Sequence, residues 1–176
     1  MKMLFNGCSW TYGYELVDYE KERFSYLIDP SAVNIAQPGA SNDLICRETI
    51  KWIIENGNPD YVVVQWTFVD RREILLDNKD RTLYLNPVMV ESSKEVRFQG
   101  MEWSVYQPLA KAYYEKVHST KGSWSNYFKN MFLLQEFLEN RNIQYEFFRV
   151  QPMDIIQRKS IEPWKKLCKN PYPQNF

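Results

Sequence analysis

Apolar residues come in short bursts along the chain, and each early burst runs into small or polar groups. MLFNGC (3–8) predicts a short buried strand ended by Gly7. ELVDYEKERFSYLI, within residues 12–28, mixes charged and apolar positions and predicts a helix. AVNIA (32–36) predicts a second strand, and PGASND after it a turn. The next segment has the clearest helical pattern. Ser41 or Asn42 can cap it, Asp43 falls in the first turn, and Ile45, Ile50, Ile53 and Ile54 supply an apolar stripe up to Gly57 and Pro59. The Val run of residues 61–67 predicts a central strand covered on both faces. SNYFKNMFLLQEFLENRN (125–142) predicts a helix with Phe128, Phe132, Leu134 and Phe137 facing the core. IQYEFFRVQ (143–151) predicts the strand after it.

The order is β-α-β-α-β, an insert, then α-β. It predicts an α/β fold, a three-layer α/β/α sandwich with a mostly parallel sheet of four to five strands. One domain over residues 1–176 is expected, with an irregular insert at about 68–124. In the insert, TLYLNPVMVE and KEVRF are expected to pair as two strands, followed by a helix around LAKAYYEKVH. The tail, IEPWKKLCKNPYPQNF, carries three prolines and reads as a wrapping segment, not another strand.

Composition narrows the classes. Lys plus Arg and Asp plus Glu both number 22, so the formal net charge is zero and no extended nucleic-acid surface is expected. Three cysteines without a CxxC pair, and a single His, give neither a disulfide framework nor metal-ligand spacing. No metal and no cofactor are expected. The N-terminus lacks a signal-peptide pattern, and no segment approaches the ~20 apolar residues of a membrane helix. A soluble protein of the cytoplasm is expected. Aromatics make up 16% of the residues, more than a domain of this size can bury, so some are expected at the surface.

In an open parallel sheet, ligands gather beyond the carboxyl ends of the strands where strand order reverses. Three segments are predicted to end there: Gly7-Cys8-Ser9, then Asn34 with Pro38–Asp43, then Gln65-Trp66-Thr67. Ser9 would stand at a strand-to-helix junction as a nucleophile. Its N–H and that of Gly39 could hold an oxyanion, with Thr67 or Asn42 adding a side-chain donor. Taken singly, each piece also fits an ordinary cap or turn. GCSWT is not the G-x-S-x-G elbow, because Thr11 stands at the second Gly. No phosphate-cradling or dinucleotide-binding glycine motif is present.

FNGCSWTYG, NIAQPGASND and VVVQWTFVDRRE, in that order, resemble the SGNH (GDSL-like) hydrolase family, in a divergent branch met in phage and bacterial genomes. The resemblance implies a three-layer fold and hydrolysis of ester-type bonds, often acetyl or acyl esters of carbohydrates or lipids. It makes Ser9 the nucleophile and Gly39 the oxyanion glycine. Thr67 falls where the family usually carries an oxyanion Asn. Arg71 and Glu73 match an R-x-E pattern, as an ion pair orienting a loop or as substrate contacts. Asn42 and Trp66 of the same motifs are carried as ligand-binding positions.

The family's D-x-x-H motif near the C-terminus is not matched. Residues 152–176 hold Asp154 and no His, and the single His118 lies in the insert. A serine without a base is a poor nucleophile at neutral pH. His118 could swing in, another chain or a carboxylate such as Asp18 or Asp154 could serve, or the chemistry is lost. The leading expectation is a pseudoenzyme that binds a ligand or a host protein, in the host cytoplasm if the gene is viral. Its contact surface would be the insert aromatics Phe68, Tyr84, Trp103, Tyr106, Tyr113, Tyr114 and Trp124. The alternative is a serine esterase acting on a small-molecule ester through Ser9, with His118 as base.

Overall fold

The structure, a computed structural model, describes residues 1–76, 81–90, 103–150 and 174–175. Its core is a sheet of five strands: β1 (Met3–Asn6), β2 (Val33–Asn34), β3 (Tyr61–Trp66), β6 (Gln144–Arg149) and β7 (Gln174–Asn175). Their spatial order is β2-β1-β3-β6-β7, and every neighbouring pair is parallel. Two further strands, β4 (Arg72–Leu76) and β5 (Arg81–Leu85), form a separate antiparallel hairpin. The expected mostly parallel α/β sheet is therefore present.

Strand alternation sorts the side chains into two faces. On one face Leu4, Val62, Val64, Trp66 and Phe147 join the main core with helices α4 (Asn42–Asn56) and α7 (Thr120–Glu139). Trp124, Phe128, Met131, Leu134 and Leu138 of α7 fill that core. Each buried side chain of this size contributes roughly 1.5–3 kcal/mol of transfer free energy. The other face is covered by three short helices, α1 (Ser9–Tyr12), α2 (Tyr19–Glu22) and α3 (Phe24–Ile28). Phe24 of α3 meets Phe5 and Phe148 edge-on, with ring centroids 5.7 and 5.9 Å apart. These two coverings make the three layers.

Capping sets the long helices. Ser41 caps α4 by accepting from the Leu44 N–H at 3.1 Å, and Gly57 closes it with φ of +81°. Ser119 caps α7 by accepting from the Gly122 N–H at 3.2 Å, so that helix starts earlier than its apolar pattern implies. Asp43 in the first turn of α4 accepts from Asn126 and Asn130 of α7, which locks the two helices side by side.

Four expectations are corrected. The continuous helix within 12–28 is three short helices: Gly13, at φ of +89°, ends α1, and Arg23 is extended between α2 and α3. The hairpin of the insert forms between β4 and β5, so the strand after VVVQWT comes from REILL; KEVRF lies outside the described residues. Residues of NPVMV instead form a short helix, α5 (Pro87–Val90), where Pro87 at the first position loses no needed N–H. In the tail, Gln174 and Asn175 pair with Phe148 and Arg149 as a strand, while residues 151–173 lie outside the described residues.

The expected helix near 109–118 is α6 (Trp103–Lys116). It packs on the hairpin through a second small core of Leu83, Leu85, Tyr106 and Ala110. The insert aromatics mostly serve packing. Tyr106 and Trp124 are buried, Tyr84, Tyr113 and Tyr114 are half-buried, and Phe68 is exposed. The Trp103 side chain lies outside the described residues.

Candidate functional site

The chain passes from β1 to β2 on one side and returns to β3 on the other, so strand order reverses between β1 and β3. A crevice forms beyond the carboxyl ends at such a point. Asn6 anchors the end of β1 by donating from Nδ2 to Ile45 O at 3.0 Å and Thr49 Oγ1 at 2.8 Å, while its side-chain Oδ1 accepts the Gly7 N–H. The turn after it is held by one buried oxygen. Gln65 Oε1 accepts from Thr11 Oγ1 at 2.6 Å, from the Thr11 N–H at 3.2 Å and from Cys8 Sγ at 3.5 Å. Gly7 has no room for a side chain, because a Cβ there would lie 2.2 Å from Thr11 Oγ1 and 2.8 Å from Gln65 Cβ. Three residues of GCSWT are thus spent on fixing α1 to β3. Ser9 and Trp10 are left facing outward, Ser9 half-buried and Trp10 55% exposed.

The loop after β2 is tied beside this turn. Asn34 Nδ2 donates to Thr11 O and Ser25 Oγ, both at 2.8 Å, and the Gln37 N–H donates to Gly7 O at 3.2 Å. Gly39 has φ of +80° and nothing within 4 Å of where a Cβ would lie. Backbone conformation, not crowding, therefore calls for glycine there. The N–H groups of Ser9 and Gly39 have no partner among the described residues.

The other predicted site residues take different work. Asn42 Oδ1 accepts the Thr67 N–H at 2.9 Å and its Nδ2 donates to Thr67 O at 3.3 Å. Both ends of that amide close on one backbone unit, so Asn42 is a clamp and not a ligand contact. Thr67 is buried, and its hydroxyl accepts from Arg71 Nη1 at 3.0 Å. The Arg71 guanidinium lies over the Phe68 ring at 5.3 Å. Arg71 and Glu73 do not pair with each other; Glu73 pairs with Arg47 of α4. Burial holds the Glu73 carboxyl above its ordinary range even with Arg47 beside it. Trp66 is 0% exposed and packs edge-on against Tyr127 and Phe147, as part of the core.

A cleft of about 280 Å³ opens on the α1–α3 side of the sheet. Ser9, Trp10, Tyr14, Leu16, Arg23 and Phe24 form most of its wall, with Gly13 and Glu15. Of the residues predicted for the site, Ser9 alone lines it; Gly39, Thr67, Asn42 and His118 do not. Ser9 Oγ makes no hydrogen bond among the described residues.

His118 sits at the corner between α6 and α7. Its Nε2 is 2.8 Å from Asp70 Oδ1 and 3.1 Å from Ser123 Oγ, and its ring leans on Tyr113 and Tyr114. This Ser123-His118-Asp70 cluster is not a proton relay. A relay needs the serine and the carboxylate on opposite ring nitrogens, whereas here both meet Nε2, and Ser123 is fully buried. His118 is thus engaged by Asp70 and Ser123 in this structure and does not meet Ser9. Burial pushes the Cys46 thiol up to about 12, which leaves it without thiolate character. Among the described residues, no group of three His, Cys, Asp or Glu side chains could hold a metal. No described helix is long and apolar enough to cross a membrane.

The residues that build the turn were partly missed by the sequence reading. Gln65 was expected to present itself at the strand end; it points instead to the opposite face from Trp66 and organises Thr11 and Cys8. A lone Gln inside a Val-rich strand was the available signal, since a buried amide needs partners.

No curated protein matches the sequence. Several solved structures are similar in shape, three of them as follows. One is described as a lipolytic protein of the G-D-S-L family from Desulfitobacterium hafniense DCB-2, at 10% identity and a TM-score of 0.47, covering 94% of this chain and 67% of that one. The psychrotrophic esterase EstA from Pseudoalteromonas sp. is similar at 11% identity and a TM-score of 0.47, covering 99% of this chain and 76% of that one. A protein described as an acylhydrolase from Bacteroides fragilis NCTC 9343 is similar at 11% identity and a TM-score of 0.43, covering 94% of this chain and 57% of that one. A family model described as "Family of unknown function (DUF6071)" matches residues 21–168. With most of its length under that match, the chain belongs to the DUF6071 family.

Proposed function

We propose that the chain is an SGNH-like domain that works as a ligand-binding module through the Ser9 cleft, without Ser-His ester hydrolysis. One observation carries this reading: Ser9 lines the cleft, while Gly39, Thr67 and His118 do not, and His118 is held by Asp70 and Ser123. The three motifs in family order and the parallel sheet with Ser9 at its switch point support the SGNH-like part. The cleft supports the binding part, since aromatic walls with a few polar groups are what small-ligand sites are made of. The occupant is a small molecule; the burial of Tyr106 and Trp124 removes much of the aromatic surface once assigned to a host protein.

The second reading is a serine esterase acting from Ser9. It is favoured by the free N–H groups of Ser9 and Gly39, which suit an oxyanion. Its base would be Asp154, which lies outside the described residues, or a group from another chain.

Turnover of short p-nitrophenyl esters separates the two. The binding reading expects the wild type to hydrolyse them no faster than Ser9→Ala and His118→Ala. Hydrolysis that Ser9→Ala abolishes would replace it with the esterase reading.

A further inference from the structure

Arg23 stands at the extended joint between α2 and α3, with φ of −65° and ψ of 143°. Its stem lies against Gly13, where an added Cβ would come 3.1 Å from Arg23 Cβ. The Nε is shielded from solvent and has no hydrogen-bond partner among the described residues. The rest of the guanidinium makes no hydrogen bond or ion pair there either. The residue nonetheless lines the Ser9 cleft. A partly desolvated guanidinium without an acceptor is unfavourable, and an incoming oxyanion relieves it.

We propose that the cleft selects a small aromatic or aliphatic carboxylate, with Arg23 as its anchor. This rests on the reading of the cleft as a ligand site. Four features fix the class. The planar fork of an Arg matches a carboxylate through two parallel hydrogen bonds. Glu15 lines the same cleft and disfavours a dianion, so a carboxylate is taken in preference to a phosphate monoester. Trp10, Tyr14 and Phe24 supply flat apolar walls for the body of the ligand. The volume of about 280 Å³ restricts it to a small molecule. Ser9 lines the same cleft, and its hydroxyl is a further donor available to the second carboxylate oxygen.

The test uses phenylacetate, its neutral methyl ester and phenyl phosphate, each titrated into the full chain up to about 10 mM, the weak end for so small a ligand. Binding is followed by calorimetry and by amide chemical shifts of Ser9, Gly13 and Arg23. Phenylacetate is expected to bind at least about tenfold more tightly than the ester or the phosphate, and Arg23→Gln to lose about tenfold or more. Arg23→Lys, which keeps the charge but not the fork, is expected to lose several-fold and guards against a Gln variant that fails to fold. Glu15→Gln is expected to narrow the gap between phenylacetate and phenyl phosphate. If the ester binds as well as the acid and Arg23→Gln changes nothing, the anchor is overturned while the cleft stands as a binding site. If none of the three probes shifts the cleft amides, the anchor and the binding reading both fall.

Discussion

Thr11 Oγ1 and Gln65 Oε1 lie 2.6 Å apart, and this contact between α1 and β3 holds the turn that presents Ser9. The acceptor is buried, and its other donors are the Thr11 N–H and the weak Cys8 thiol. Thr11→Val keeps the volume and removes the strongest donor, so it is expected to destabilise the fold by about 1–3 kcal/mol. Gly7→Ala is expected to cost more, because its methyl would overlap Thr11 Oγ1 and press on the Gln65 stem. Urea unfolding of both variants checks the order. A Gly7→Ala protein as stable as the wild type would show that the turn is looser than this geometry.

Asn42 and Thr67 give a second prediction. The amide of Asn42 satisfies the Thr67 N–H and carbonyl, both buried at the end of β3. Asn42→Ala strands both groups and is expected to lower stability by about 2–4 kcal/mol. Asn42→Asp keeps an acceptor for the N–H but sets a carboxylate against the Thr67 carbonyl oxygen, so it is also destabilising, and more so as pH rises. Chemical denaturation at about pH 4 and about pH 7 distinguishes them. An Ala variant within about 0.5 kcal/mol of wild type would mean that the clamp contributes little.

The parts of the fold legible in the sequence are those where one physical signal dominates. The Val run of β3 can only be a covered strand, and the Ser41 cap, Ile stripe and Gly57 stop of α4 agree with one another. The N-terminal helices were not legible. Val17 and Leu16 are apolar but exposed, so hydrophobic positions there did not report burial, and Gly13 broke what looked like one helix. At the site, Ser9 begins α1 just beyond the end of β1, but residue type alone could not say which polar groups were free. Asn42 and Thr67 are absorbed by each other, Glu73 by Arg47, and His118 by Asp70 and Ser123. All but the His118–Ser123 contact are made across tens of residues, which local pattern does not encode. Arg23, which the motifs did not mark, lines the cleft with a buried Nε left without an acceptor among the described residues.

Cys46 faces α7, with its thiol 3.5 Å from Asn130 O. Burial, aided by Asp43, pushes it up to about 12. At pH 8 it is therefore almost wholly a thiol, and, 4% exposed, it reacts slowly while α4 and α7 stay packed. Iodoacetamide followed by peptide mass mapping is expected to leave Cys46 unmodified in the native protein and to modify it in urea. Native labelling of Cys46 at a rate near that of a free thiol would contradict the packing of these two helices.

Glu73 tests the electrostatics of the R-x-E segment. Its side chain is 7% exposed, and burial raises its carboxyl above the ordinary value of 4.5, with Arg47 pulling in the other direction and Asp43 and Glu48 adding to the rise. A carboxyl raised on folding binds its proton more tightly in the native state than in the unfolded chain. Its contribution to stability is therefore complete below about 4.5 and is lost as pH rises through the raised folded value. Glu73→Gln keeps the shape and removes the titration. The stability of wild type minus that of the variant is then expected to fall as pH rises from about 4.5 through the raised folded value. Arg47 does not oppose this trend by being stranded in the variant, because it also contacts Glu48 at 3.3 Å and is 38% exposed. Urea unfolding at intervals across that range measures the difference. If it rises with pH instead, the Arg47 ion pair outweighs burial at Glu73, and the segment is held by charge attraction rather than by packing around a reluctant carboxylate.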